Sequence, residues 1–469
     1  MPPRRNYVYP PGLQANLLWY AFRKFRPADP IVLFEYLAKK FGSVVHYKLG
    51  PEHIVFVNEP ELIREILVVQ NSNFIKERTV QRTKMLLGEG MITAEGQQHR
   101  GQRQASQPAF HRQRIGSYAD TIVERAAATR ERWEADREVD VAPEMMELTL
   151  DIVGRTLFSS ELGPEVREVA QTINHIMRLY NYLVLLPGVE ILVNIGVPGL
   201  AGFAKDKQRL DAIVFRMIDQ HLHSPQRDDP LDMMLNAAAP NGETLTSAQR
   251  DNIRDQVLTI FLAGYETVAN ALTWTWYLLS QNPDAATKMQ QEIATVLNGR
   301  LPQMADLPQL TYTEMVLKES LRIFPPAWAM GRKALHDFAL GPYFLPAGST
   351  MLMSQYITHR DDRFFPEPMR FWPERFDPAS RMKPPRFAYF PFGAGFRQCI
   401  GESFAWMEGV LILATIAQKW SLLLKPGQRV EPQPLITLRP KYGMKMIARR
   451  PSMSESTGVT RAEVLDHSR

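Results

Sequence analysis

The sequence predicts a mainly α protein with small β-sheets (α+β), whose length could hold two or three average domains but also suits one large fold. Three observations predict it. Apolar residues recur at helical spacing over long stretches, above all 247–280, 310–324 and the segment after Cys399. Strand-like runs are short and lie between Gly and Pro turns, at 44–49, 54–57, 338–353 and 425–449. The only cysteine of the 469 residues, Cys399, stands where a Gly-bearing loop enters a helix. Apolar residues make up 45% and charged residues 22%, which is ordinary for a globular chain. A net charge of +5 without long basic runs is too mild to suggest nucleic acid.

The elements follow in chain order. Residues 1–12 hold no apolar run, so neither a signal peptide nor a transmembrane anchor is expected. Residues 31–42 predict a short helix, with Phe34, Leu37, Ala38 and Phe41 on one side. Two strands follow, separated by Gly50-Pro51, and 60–69 predicts one helix. No acidic residue occurs between Glu95 and Asp120, and within that stretch His99 and Arg103 share a helical face. Taken alone, such a basic face is turned to water. Residues 120–224 are helix-rich. Within them 182–203 is apolar, but Pro187, Glu190 and Pro198 exclude a membrane span and suggest a buried helix pair. Residues 224–241 predict a polar loop, and there is no internal repeat.

The helix at 247–280 takes Thr246 or Ser247 as N-cap and has an unusual centre, Ala263-Gly264-Tyr265-Glu266-Thr267. Glycine inside a helix costs about 1 kcal/mol relative to alanine. The Thr267 hydroxyl can turn onto the carbonyl of Ala263, and an acid beside that alcohol can relay protons. The helix at 310–324 carries Glu319 and Arg322 three apart, on one face, and stops at Pro325-Pro326. A Pro-rich irregular segment spans 356–391. The polar tail 451–469 is expected to be disordered.

A lone cysteine excludes an internal disulfide and a multi-cysteine zinc site. The loop glycines let backbone approach something bulky and flat, and the helix start favours a thiolate. Phe392, Gly395, Arg397, Cys399 and Gly401 form Phe-x-x-Gly-x-Arg-x-Cys-x-Gly, a pattern expected by chance in such a chain with a probability on the order of 10⁻⁴. These residues resemble the haem-binding signature of the cytochrome P-450 superfamily of haem-thiolate monooxygenases. The resemblance implies that family's fold, a triangular helix-rich prism around a buried haem b (iron protoporphyrin IX). It makes Cys399 the axial iron ligand and Phe392 part of the cofactor-binding loop. Arg397, His99, Arg103 and Arg332 become propionate partners. Ala263 and Gly264 let the long helix pass over the haem, and Glu266 and Thr267 become the catalytic proton path. Glu319, Arg322 and Arg375 become a structural network. Ala327, Trp328 and Met330 line the substrate pocket with parts of 80–92 and 175–200, and 182–203 becomes a mobile lid.

By the same resemblance, the expected reaction inserts one oxygen atom of O2 into a C–H bond of a lipophilic molecule: a fatty acid, terpenoid, steroid or polycyclic aromatic. Electrons would come from an acidic ferredoxin or flavodoxin with its NAD(P)H reductase, drawn to basic residues at 100–114 and 375–397. The expectation is a monomeric, bacterial, cytoplasmic enzyme. It has one domain over 1–450, with a mixed sheet region at 30–70, a helical core at 71–330, and the meander and cysteine loop at 355–401. The alternatives are a haem-thiolate isomerase, dehydratase or peroxygenase, which usually lack the acid–alcohol pair, and a haem-binding sensor or carrier without turnover.

Overall fold

The helix Ser247–Gln281 is the axis on which the other elements pack in the computed structural model, which describes residues 6–16, 29–159, 172, 175, 201–223, 229–240, 243–381 and 383–451. The lid assigned to 182–203 and the tail at 451–469 lie outside the described residues, apart from 201–203 and Pro451. The axial helix starts at a capping box, in which the Thr246 hydroxyl accepts from the Gln249 N–H and the Gln249 side chain accepts from the Thr246 N–H. Its middle is buried nearly all round, with Tyr265, Leu272 and Trp274 fully enclosed, as befits a core helix.

The helices Val141–Phe158, Thr311–Ile323 and Glu402–Ala417 pack against it. Glycine sets two of the closest approaches. A Cβ on Gly409 would lie 2.5 Å from Leu317 Cδ2, and one on Gly264 would lie 3.1 Å from Val153 Cγ2. Gly264 therefore also serves close packing of two helices.

The largest sheet has six strands in the order Gly12–Asn16, Val44–Leu49, Glu52–Val57, Thr350–Met353, Met330–Ala334, Phe74–Lys76. Val44–Leu49 and Glu52–Val57 form the hairpin expected across Gly50-Pro51, with Val45 opposite Phe56. Strand Glu52–Val57 then pairs in parallel with Thr350–Met353, joining the N-terminal region to the C-terminal third of the chain. Smaller sheets close the C-terminal part, including the hairpin formed by Pro432–Pro434 and Leu438–Pro440.

Residues 60–69 are helical as expected, α-helical over Pro60–Arg64 and π-helical over Glu65–Val69. One expectation is corrected. The region 224–241 contains a helix, Pro230–Ala238. Its start was readable: Asp229 accepts from the Asp232 N–H, and Pro230 occupies the first turn, where its missing N–H costs nothing. Leu231, Met234 and Leu235 bury the inner face. No helix among the described residues is long and apolar enough to cross a membrane.

The helix Glu402–Ala417 buries one acid, Glu408, and neither carboxyl oxygen has a hydrogen-bond partner. Burial pushes this carboxyl well above the usual range. The folded chain therefore holds a proton there that the unfolded chain releases at ordinary carboxyl pH. The group's stabilisation is full below that range and is lost as pH rises. Replacing Glu408 by Met should stabilise the fold by about 1–3 kcal/mol, with a gain in melting temperature that widens from about pH 5 to about pH 8. An unchanged or lowered melting temperature would show that the carboxyl has a partner.

Candidate active site

The cysteine loop is tied down by its own backbone. The Cys399 N–H donates to the Phe392 carbonyl at 2.9 Å, and a 3₁₀ turn spans Gly395–Arg397. Gly395 has φ +66°, and a Cβ there would lie 2.1 Å from the Leu67 carbonyl oxygen, so no other residue fits without moving the backbone. Beyond Gly401 the apolar helix Glu402–Ala417 begins. The Phe392 ring meets Trp406 edge-on at 5.3 Å.

The Cys399 side chain is exposed on one side. Protein encloses the rest, and this burial pushes the thiol up to about 11. The Gly401 N–H and Arg103 pull in the opposite direction but do not outweigh it. The N–H at the helix start thus favours a thiolate as expected, but burial outweighs it. A metal ion bonded to the sulfur would reverse the balance, since a coordinating thiol is deprotonated.

Beside the loop lies a concentration of positive charge. Arg332 stands directly opposite Lys76 in the antiparallel pair of Met330–Ala334 with Phe74–Lys76. Arg332 is only 7% exposed; burial and Arg397 together pull it down to about 10. Burial, then Arg332 and Arg397, hold Lys76 well below its ordinary value. His99 and Arg103 share the helix Gly96–Ser106. Burial, followed by Arg397 and Arg103, holds His99 near 3, so it is a neutral imidazole. Its Nδ1 is buried without a hydrogen-bond partner, and its ring meets Phe396 at 5.0 Å. Arg103 donates to the Gln398 carbonyl at 2.7 Å. Arg397 donates to the Ala94 carbonyl at 2.8 Å and pairs with Glu95. Like charges opposite each other in a sheet repel, and of the groups that act on Lys76 and Arg332 only Glu95 and Glu77 offset this. The donor set suits a ligand carrying carboxylates, and an accessible sulfur beside it suits a metal macrocycle, so these residues fit a haem.

On the axial helix, Ala263 is exposed and Gly264 and Thr267 are partly so, while Tyr265 and Glu266 are buried. The Thr267 hydroxyl donates to the Ala263 carbonyl at 2.7 Å, the bond that the spacing suggested. The Glu266 carboxylate is 2% exposed. It accepts from Arg439 at 2.8 Å and from the Thr437 hydroxyl, partners that sequence reading missed because they lie 173 and 171 positions away.

Glu319, Arg322 and Arg375 come together with almost no exposure. Arg322 grips Glu319 with two bonds, at 2.8 and 2.7 Å. Arg375 Nε reaches the same carboxylate at 3.4 Å, and the Trp372 N–H donates to it at 3.0 Å. Arg322 also donates to the His359 carbonyl at 2.8 Å, and His359 Nε2 accepts from the Phe390 N–H at 3.0 Å. His359, a second missed residue, thus connects this cluster to the cysteine loop. Ala327, Trp328 and Met330 are partly exposed. The Trp328 indole donates to the Leu435 carbonyl at 2.7 Å, and the Met330 methyl lies 3.4 Å from where a Gly393 Cβ would stand. The segment expected at 80–92 packs on the axial helix through the Glu89 N–H, which donates to Asp255 at 2.8 Å.

Comparison with known proteins agrees with this geometry. The family model described as Cytochrome P450 matches residues 10–447. The chain is similar to a cyclooctatin synthase of Streptomyces melanosporofaciens, with 37% identity over 85% of this chain and 86% of that protein. It is also similar to a cyclooctat-9-en-7-ol 5-monooxygenase of the same organism, with 34% identity over 82% and 84%. A pentalenene oxygenase of Streptomyces avermitilis shares 32% identity over 85% and 88%.

Removing one member of the buried ion cluster strands the other. Arg322→Met should destabilise the protein by about 3–5 kcal/mol, read as a loss of urea resistance or of soluble folded product. A loss below about 1 kcal/mol, the value of an exposed pair, would show that the cluster does not hold the fold.

Proposed function

The chain belongs to the cytochrome P450 family, and from that premise we propose that it oxidises a cyclic terpenoid, with Cys399 as the axial ligand of its haem. As a cytochrome P450 monooxygenase it works with haem b and dioxygen on a lipophilic small molecule. When bound, the haem supplies oxygen activation and C–H hydroxylation, chemistry that thiolate ligation favours. The observation that carries the site reading is the exposed Cys399 sulfur beside a buried cation cluster in which His99 Nδ1 has no partner.

In this reading His99, Arg103 and Arg332 receive the propionates. Arg397 joins them while keeping Glu95, since a guanidinium offers several donors. Phe392 and Ala263 border the macrocycle from the loop and from the axial helix. Glu319, Arg322 and Arg375 hold the frame and touch no reactant. Ala327, Trp328 and Met330 form part of an apolar pocket, the kind that takes a lipophilic ligand. Thr267 and Glu266 conduct protons: the Thr267 hydroxyl exchanges the Ala263 carbonyl for a partner in the pocket, and Glu266 replenishes it.

The terpenoid assignment draws support from relatives named for cyclooctat-9-en-7-ol and pentalenene. Electrons come from a separate acidic ferredoxin or flavodoxin. Its landing site is narrower than the sequence implied. Arg375 and Arg397 are spent on Glu319 and Glu95, whereas Arg100, Arg381, Lys383 and Arg386 are exposed. Phe396, 40% exposed beneath the Arg100 guanidinium at 5.5 Å, adds an apolar contact. We further propose a monomer working in a reducing cytoplasm, in keeping with the single cysteine.

Titration of the holoenzyme with cyclic terpenes, terpene alcohols, fatty acids, steroids and polycyclic aromatics tests the substrate class. Terpenoids should give the largest low-to-high-spin Soret shift; a shift with fatty acids alone would overturn the assignment. Thr267→Ala should keep haem and substrate binding while diverting most reducing equivalents to peroxide, and unchanged coupling would remove Thr267 from the path. Reduction by an acidic ferredoxin should slow as salt rises, because the steering is electrostatic.

A further inference from the structure

We propose that Arg439 is the positioning residue of the proton path: it holds the Glu266 carboxylate by one oxygen and leaves the other to exchange protons. The inference rests on the reading of Glu266 as the relay acid. Oε1 takes every donor. Arg439 donates to it from Nε at 2.8 Å, with a terminal nitrogen in ion-pair contact at 2.7 Å, and the Thr437 hydroxyl points at the same atom. The direction of that last bond is fixed. Asn270 Nδ2 donates to Thr437 Oγ1 at 3.1 Å, so the Thr437 hydrogen is the one offered to Glu266. Among the described residues no donor reaches Oε2.

The hairpin that carries Arg439 is anchored on both sides. The Trp274 indole donates to the Leu438 carbonyl at 2.9 Å, the Trp328 indole to the Leu435 carbonyl at 2.7 Å, and the Leu438 N–H to the Pro326 carbonyl at 2.9 Å. Arg439 is therefore delivered by a fixed element. Its guanidinium compensates a carboxylate that would otherwise be buried alone, a loss of several kcal/mol in general. Among the described residues, the ionisable groups that meet Glu266 are Arg439 from the hairpin and Tyr265 from its own helix. Burial and Glu266 keep the Tyr265 phenol far above its ordinary value. The helix Val141–Phe158 contributes at this level only a neutral group, the Thr149 hydroxyl on the Tyr265 carbonyl at 2.9 Å. A carboxylate clamped at Oε1 can take up and hand on a proton only at Oε2, which fixes the geometry of the relay.

The test uses the holoenzyme with a ferredoxin and its reductase, and compares Arg439→Gln, Arg439→Lys, Thr437→Val and Glu266→Gln. Arg439→Gln should keep the carbon monoxide spectrum and substrate affinity while product per NADPH falls about tenfold, the worth of one charge-assisted hydrogen bond. Arg439→Lys should restore most of it. Infrared spectroscopy gives a readout independent of turnover. The carbonyl stretch of a protonated carboxyl, identified by its loss in Glu266→Gln, should appear in Arg439→Gln at a less acidic pH than in the parent protein. If coupling and infrared band in Arg439→Gln both match the parent, the inference is overturned. If Glu266→Gln alone leaves coupling unchanged, the relay reading falls, while the infrared arm still decides whether Arg439 holds the carboxylate. Should Arg439→Gln not fold, Arg439→Lys and Thr437→Val carry the same comparison, with a weaker band shift expected and none overturning.

Discussion

The grip of Arg322 on Glu319 is the contact on which the site depends. Both side chains are fully buried, so neither can fall back on water. Glu319 is satisfied by Arg322, Arg375 and the Trp372 N–H together. Remaining donors of Arg322 reach the His359 carbonyl, and the His359 ring receives the Phe390 N–H at the entrance of the cysteine loop. Burial and Arg322 hold His359 near 3, so its ring nitrogen remains an acceptor at any working pH. The cysteine loop is thereby tied to the ion cluster through His359. Burying ions rarely adds stability over an apolar core of the same volume. What it supplies here is a single geometry, because the Arg322 donors are spread over fixed acceptors, Glu319 and the His359 and Arg370 carbonyls.

The second constraint is charge. Lys76 and Arg332 face each other across one strand pair, with Arg397 near both. Burial alone would favour losing these charges, yet an arginine keeps its proton in nearly all settings. Only acids can settle such a cluster. Glu95 answers Arg397 and also accepts from the Lys76 N–H at 2.7 Å, and among the described residues no carboxylate pairs with Arg332. In the proposed site two propionates would supply the missing charge, and cofactor binding would complete the electrostatics of the fold.

What was legible in the sequence was local. Thr267 on the Ala263 carbonyl and Arg322 on Glu319 follow from helical spacing, and the Gly50-Pro51 hairpin from turn chemistry. The cysteine loop was legible because five residues stand at fixed offsets around one sulfur. What the sequence hid was set by contacts between distant segments. Arg439 meets Glu266 only because the hairpin docks on the axial helix. Gly264 is small because Val153 needs the room. The helix Pro230–Ala238 was missed although its Asp229-Pro230 start was visible, because a short apolar face between polar flanks has too few turns to show a period. The basic residues of 375–397 were read as one surface, and burial divided them into structural and exposed sets.

The acid–alcohol pair shows how the two scales combine. Both members already have partners: Thr267 is bonded to the Ala263 carbonyl, Glu266 to Arg439 and Thr437. Magnitudes decide which one moves. A neutral hydroxyl–carbonyl bond is worth about 1 kcal/mol net, and bonds to a charged group about 1.5–3 kcal/mol each. Thr267 is partly exposed and Glu266 buried, so water can replace the partner of the first and not that of the second. In the proposed relay Thr267 is therefore the member that turns while Glu266 stays, and the proton would pass from a fixed acid to a mobile alcohol. A helix that bound both equally tightly would hold the geometry and block the transfer.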